Sequence, residues 1–120
     1  MIEIVTPGNR RCYAPLIEDM YRMRYDVVVK KWGWRVPGAT PGRDKDQFDT
    51  DETVYILHLD EGRRKVLGCC RLNPTTGPTM LSDLFEDACD LQAVPRDRTI
   101  WEASRFVVSR DWPRASSTMM

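Results

Sequence analysis

The sequence predicts an α/β protein in which helices pack on a largely antiparallel sheet. Short runs rich in strand-forming residues occur at 2–5, 53–60, 65–72 and 99–108, and one longer stretch has the spacing of an amphipathic helix. The two middle runs are separated only by the turn "EGRR", which is long enough for an antiparallel hairpin and far too short for a parallel crossover. The resulting order is β, α, loop, β, β, α, β, a layered arrangement around one core.

Each element has its own warrant. Residues 2–5 (IEIV) make a short first strand. From Pro15, which suits a first helical turn, apolar residues recur at Leu16, Met20, Met23 and Val27, and Ile17, Tyr21 and Val28 widen the stripe. Three glycines and two prolines between 32 and 50 break regularity, so this long loop is expected to be mobile and to order on ligand binding. "TVYILHLD" and "KVLGCCRL" form the hairpin. After the turn-rich "NPTTGPT", Thr79 or Ser82 can cap a short helix, "MLSDLFEDAC". The last strand is 99–108, giving a domain over 1–110 and an irregular tail over 111–120.

Composition bounds the function. At 120 residues the chain holds a single core, and 42% hydrophobic with 30% charged residues is ordinary for a globular domain. Lys+Arg and Asp+Glu balance at 18 each, so no global field recommends nucleic acid or an anionic membrane as partner. No apolar run reaches the ~20 residues of a membrane helix, and the first residues lack a signal-peptide pattern, which makes the cytoplasm the expected compartment. Cys12, Cys69, Cys70 and Cys89 have no CxxC spacing and read as packed thiols. A Ser-His-Asp triad would need the single histidine, His58, which reads as a strand surface residue. There is no glycine-rich phosphate loop.

The informative anomaly is charge inside apolar runs. In "TIWEASRFVV", strict alternation puts Glu102 on one face with Ile100, Phe106 and Val108, and Arg105 on the other with Trp101 and Val107. Arg71 interrupts the third strand, and Arg24 lies beside the helical stripe. Buried charges need partners, and the acidic run "DKDQFDTDE" supplies Asp44, Asp46, Asp49, Asp51 and Glu52. The three arginines are therefore expected to pair with Glu102 or with these acids. Such a network could simply pin the loop to the sheet. Set beside Trp32, Trp34, Phe48 and Phe85, it could also form a site for a flat or cationic ligand.

The four ordered blocks "MRYDVVVKKWGW", "DKDQFD", "GCCRLNPTTGPTML" with its following "LF", and "IWEASRF" resemble the acyl-homoserine-lactone (autoinducer) synthase family of quorum sensing. The resemblance implies an N-acetyltransferase-like fold, with a twisted, largely antiparallel sheet flanked by helices. It also implies acyl transfer from acyl-carrier protein to the amine of S-adenosylmethionine, then lactonisation with release of methylthioadenosine. S-adenosylmethionine enters as a substrate, and no permanently bound cofactor is implied. Carried over position by position, Arg24, Trp34, Asp46, Phe85 and Arg105 correspond to the substrate pocket. Asp49, Arg71 and Glu102 correspond to the ion-pair network. Either Glu102 or Asp46 could receive the amine proton. Two positions depart from the family pattern: Val28 stands where an aromatic helps form the pocket, and Asp44 replaces a glutamate.

Family members continue well past the strand equivalent to 99–108, so the resemblance implies a C-terminally truncated chain whose acyl-binding half is missing. Strand 99–108 would then offer a free edge for self-association. The principal alternative is a non-catalytic module, derived from such a synthase, that binds S-adenosylmethionine or another protein.

Overall fold

Four strands run in sequence order across one antiparallel sheet: β1 (Ile2–Val5), β2 (Val54–Leu59), β3 (Val66–Pro74) and β4 (Trp101–Val108). The computed structural model describes residues 1–37, 40–89 and 93–112. Helix α1 (Ala14–Arg24), entered through a 3₁₀ turn at Arg10–Tyr13, continues into a π-helical stretch, Tyr25–Lys31. The expected α/β layer with an antiparallel sheet is the architecture found. The final eight residues of the expected tail lie outside the described residues.

The core lies between α1 and one face of the sheet. Ile17, Met20, Tyr21, Met23, Val27 and Val28 pack on Val5, Tyr55, Leu57, Leu59, Val66 and Val107. In the π-helical stretch the Trp32 N–H reaches back five residues to the Val27 carbonyl at 2.8 Å, and the Trp34 N–H donates to Val28 O at 3.0 Å. The widened turn lets the consecutive residues Val27 and Val28 both face the core, and it delivers Trp32 and Trp34 to the rim. The two rings pack at a tilt of 52° with their centroids 5.3 Å apart.

The second helical segment is shorter than "MLSDLFEDAC" suggested. Helix α2 covers Met80–Asp83, and a separate 3₁₀ turn covers Glu86–Cys89. The amides of Leu84 and Phe85 both converge on Met80 O, at 2.8 and 3.1 Å, which closes the helix and turns Phe85 outward. Thr79 is the cap: its hydroxyl accepts from Ser82 N–H, and Ser82 Oγ accepts from Thr79 N–H in return.

β4 departs from strict alternation. Arg71 stands opposite Ser104 and Cys69 opposite Val107, so two residues of β4, Arg105 and Phe106, face the single Cys70. This is a β-bulge, and Arg105 takes a left-handed φ of 53° to make it. The expected faces are corrected accordingly. Glu102, Ser104, Arg105 and Val107 turn inward, whereas Trp101, Phe106 and Val108 turn outward at 46%, 67% and 54% exposure.

Loop 32–50 also differs from expectation. From Asp44 to Asp49 it is anchored rather than free: Asp44 N–H donates to Tyr21 O, and Asp44, Phe48 and Asp49 are buried. Cys69 and Cys70 point to opposite faces, as adjacent strand residues must, and all four thiols are unbridged. Burial pushes the Cys69 thiol up to about 12. His58 is half-buried against Trp112, with ring centroids 4.4 Å apart.

Candidate functional site

Three arginines and three aspartates close into a ring. Arg24, from the end of α1, donates through Nε to Asp44 at 3.0 Å and forks onto both oxygens of Asp49 at 2.8 and 2.9 Å. Arg71, from β3, reaches Asp49 at 3.2 Å and Asp46 at 2.6 Å. Arg105, turned inward by the bulge, closes the circuit onto Asp46 at 3.0 Å and Asp44 at 2.9 Å. Formal charge within the ring cancels, and the planar guanidinium forks match the carboxylates, which is how groups with almost no solvent contact remain ionised.

The electrostatics follow the geometry. Burial opposes ionisation of Asp49, but Arg24's hydrogen bonds and the charges of Arg24 and Arg71 outweigh it and hold the carboxyl well below its usual range. Tyr55 donates its hydroxyl proton to Asp49 at 2.8 Å. Burial, followed by the Asp49 charge, drives the Tyr55 phenol far above its ordinary value, so it stays a donor. Asp46 also accepts the Phe48 N–H at 2.8 Å, which ties the loop backbone to the ring.

Beside the ring lies a cavity of about 250 Å³. Asp46 and Arg105 bring the ring to its surface, and Trp34, Phe48, Met80 and Phe85 wall it. Trp34 and Phe85 are 51% and 54% exposed, so their faces are open to a ligand. Arg105 lies 5.8 Å from the Trp34 ring and Arg71 5.9 Å from that of Phe48. A site with two flat apolar faces, a carboxylate and a guanidinium suits a molecule combining an aromatic base with charged groups. Among the described residues, no group of three His, Cys, Asp or Glu side chains is arranged to hold a metal ion. No helix among them is long and apolar enough to cross a membrane.

The sequence pattern described as autoinducer synthase matches residues 9–120. The chain belongs to the autoinducer synthase family. It is 40% identical over 111 residues to the isovaleryl-homoserine lactone synthase of Bradyrhizobium diazoefficiens, a match that takes in 92% of this chain and 50% of that relative. It is 36% identical over 111 residues to the acyl-homoserine-lactone synthase of Pseudomonas aeruginosa, covering 91% of this chain and 54% of the relative. Among solved structures, that of BjaI, a CoA-dependent acyl-homoserine lactone synthase with SAM and isopentyl-CoA, superposes with a TM-score of 0.84 at 36% identity. That superposition covers 99% of this chain and 56% of BjaI, which has also been solved with MTA. The chain thus spans about half the length of the relatives it matches.

The residues singled out from sequence fall into three places. Arg24, Asp49 and Arg71 form the buried side of the ring; Asp46 and Arg105 stand where ring and cavity meet; Trp34 and Phe85 are cavity walls. Glu102 departs from the expected network. Among the described residues it pairs with no arginine, and its two oxygens accept the backbone N–H groups of Met80 and Leu81 at 2.8 and 2.9 Å. Val28 is fully buried in the core and is not among the residues lining the cavity. Met80 and Ser104 were not singled out. Met80 lines the cavity and touches Arg71 through its sulfur at 3.5 Å, and Ser104 Oγ accepts from Arg71 Nε at 3.0 Å. The available signals were the cap at Thr79, which places Met80 at the head of a helix, and the position of Ser104 between two anomalous charges.

Proposed function

We propose that the cavity is the S-adenosylmethionine pocket of an acyl-homoserine-lactone synthase. The observation that carries this reading is the meeting of aromatic walls with the ring's Asp46 and Arg105, in a chain similar to BjaI, whose solved structures include SAM and MTA. Trp34 and Phe85 offer stacking faces for the adenine and π-density for the sulfonium. Asp46 offers a carboxylate to the substrate ammonium, and Arg105 offers a guanidinium to its carboxylate. Arg24, Asp49 and Arg71 hold those two groups in place.

The reaction is acyl transfer followed by ring closure. The deprotonated amine attacks a thioester carbonyl and expels the thiol; the methionine carboxylate then attacks its own γ-carbon and expels methylthioadenosine. The donor is an acyl thioester. Acyl-carrier protein is the donor implied by sequence resemblance, while the CoA-dependence of BjaI favours a CoA thioester for a chain this similar to it. The second reading, a binding module without turnover, is supported by the open outer face of the sheet and by the half-length match.

Calorimetric titration with S-adenosylmethionine and methylthioadenosine tests the pocket, with binding of both expected. Incubation with parallel panels of acyl-CoA and acyl-carrier protein, read by mass spectrometry for lactone and methylthioadenosine, tests turnover and donor. Binding without product would favour the module reading, and no binding of either nucleoside would overturn the pocket reading.

A further inference from the structure

We propose that Glu102 is a positioning residue that suspends the cavity's wall from β4, rather than the acceptor of the substrate's proton. The inference rests on the reading of the cavity as a methylthioadenosine and S-adenosylmethionine pocket.

Helix α2 is four residues long, far too short to hold itself together. Its three leading amide donors are all satisfied from outside the helical ladder. Thr79 Oγ1 takes Ser82 N–H at 3.1 Å, and the two oxygens of Glu102 take Met80 N–H and Leu81 N–H at 2.8 and 2.9 Å. The Glu102 contacts are the longer-range ones, crossing 22 and 21 residues, so they fix the helix to the sheet while Thr79 only shapes its start. The helix and the turn that ends it present Met80, Leu84 and Phe85 to the cavity, and Phe85 N–H closes on Met80 O. Two of the three leading amides that tie this wall to the sheet therefore depend on one carboxylate.

This bonding leaves Glu102 poorly suited to take a proton during turnover. Each of its oxygens already serves an amide. A proton on either would discharge the carboxylate and weaken its bonds to the N-terminal N–H groups of the helix, loosening the wall while the substrate depends on it.

The test uses methylthioadenosine, which lacks the amine, so loss of a proton acceptor alone leaves its binding unchanged. Calorimetry is run on wild type, Glu102→Gln, Phe85→Leu and the double variant, with amide hydrogen exchange followed at Met80, Leu81 and Phe85. Loss of a cap contact is expected to weaken methylthioadenosine binding by Glu102→Gln about tenfold. The double variant is expected to be weaker than Phe85→Leu by much less than that factor, because Glu102 acts through Phe85. Exchange at Met80 and Leu81 is expected to accelerate while β3 amides stay protected. Thr79→Ala, which loosens only the helix's start and leaves both Glu102 contacts in place, is expected to weaken methylthioadenosine binding by clearly less than tenfold, and a tenfold or greater loss in this variant would overturn the proposal even if Glu102→Gln folds poorly. Wild-type affinity and exchange in Glu102→Gln, or full additivity with Phe85→Leu, would overturn the proposal. If wild type itself fails to bind methylthioadenosine, the pocket reading falls, and exchange at Met80, Leu81 and Phe85 decides the anchor alone.

Discussion

Asp49 shows what a single ionised side chain contributes when it has lost its water. It accepts from Arg24 twice, from Tyr55 and from the Asp46 amide. Asp49→Asn leaves the ring with one positive charge in excess at a site closed to solvent, and is expected to cost about 3–5 kcal/mol in urea unfolding. The exposed Lys30–Asp26 pair offers the contrast: breaking it should cost no more than about 1 kcal/mol. The pH dependence has a definite sign. The Asp49 carboxyl lies below its ordinary 3.8 in the folded chain, so below that pH the unfolded chain binds the additional proton. Its stabilisation is fully present above 3.8 and is lost as pH falls through the folded value. The wild-type urea midpoint is expected to stay level from pH 7 to about 5 and to fall below about 4, with a smaller fall in Asp49→Asn. A parallel fall in both proteins would remove Asp49 from the account.

The bulge in β4 decides which residues the strand gives to the site. An unbroken strand would place Ser104 and Arg105 on opposite faces, because side chains alternate. The extra residue lets both point inward, and the cost is a left-handed backbone at a non-glycine position. Deleting Phe106 would restore one-to-one pairing opposite Cys70 and turn residue 105 to the outer face. Asp44 and Asp46 would then lose a shared cation, so the deletion is expected to abolish methylthioadenosine binding and to cost about 3–5 kcal/mol, read by calorimetry and urea unfolding. The loop before the ring is a second element-scale case. Residues 44–49 are held by buried ion pairs, whereas Trp34–Pro37 line the cavity with their side chains largely exposed. Hydrogen exchange is expected to slow on methylthioadenosine binding in Trp34–Pro37 and to stay unchanged at 44–49. Equal slowing in both segments would show that the ring also orders on binding.

Across the molecule, the two faces of the sheet differ sharply. One is covered by α1 and the acidic loop. The other presents Ile2, Ile4, Trp101, Phe106 and Val108 at 44% exposure or more, with Trp112 packed at one corner on His58. Apolar side chains over a sheet face, beside a β4 edge that no strand pairs among the described residues, favour association between chains. The purified 120-residue chain is expected to sediment as a dimer or larger species at micromolar concentration. Phe106→Lys or Val108→Lys is expected to shift it toward monomer. Val107 is unsuitable for this test, since it lies in the core and a lysine there would unfold the chain. A wild-type monomer under these conditions would refute the association.

Much of this could be read in the residues because it is set by local chemistry. Period and turn length specify the antiparallel hairpin, Thr79 and Ser82 mark where a short helix starts, and an arginine in an apolar run must find a carboxylate. The aromatic and charged blocks carry the family. What lay beyond a linear reading depends on register and on competition among distant groups. Alternation alone assigned Arg105 to the face opposite Glu102, because a bulge is fixed by the pairing of β4 with β3 and leaves no periodic trace. Glu102 looked like a partner for arginine because its charge is visible in the sequence. The amides of Met80 and Leu81, which claim it, are backbone groups that every residue carries, and only the folded chain brings them within 3 Å of its carboxylate.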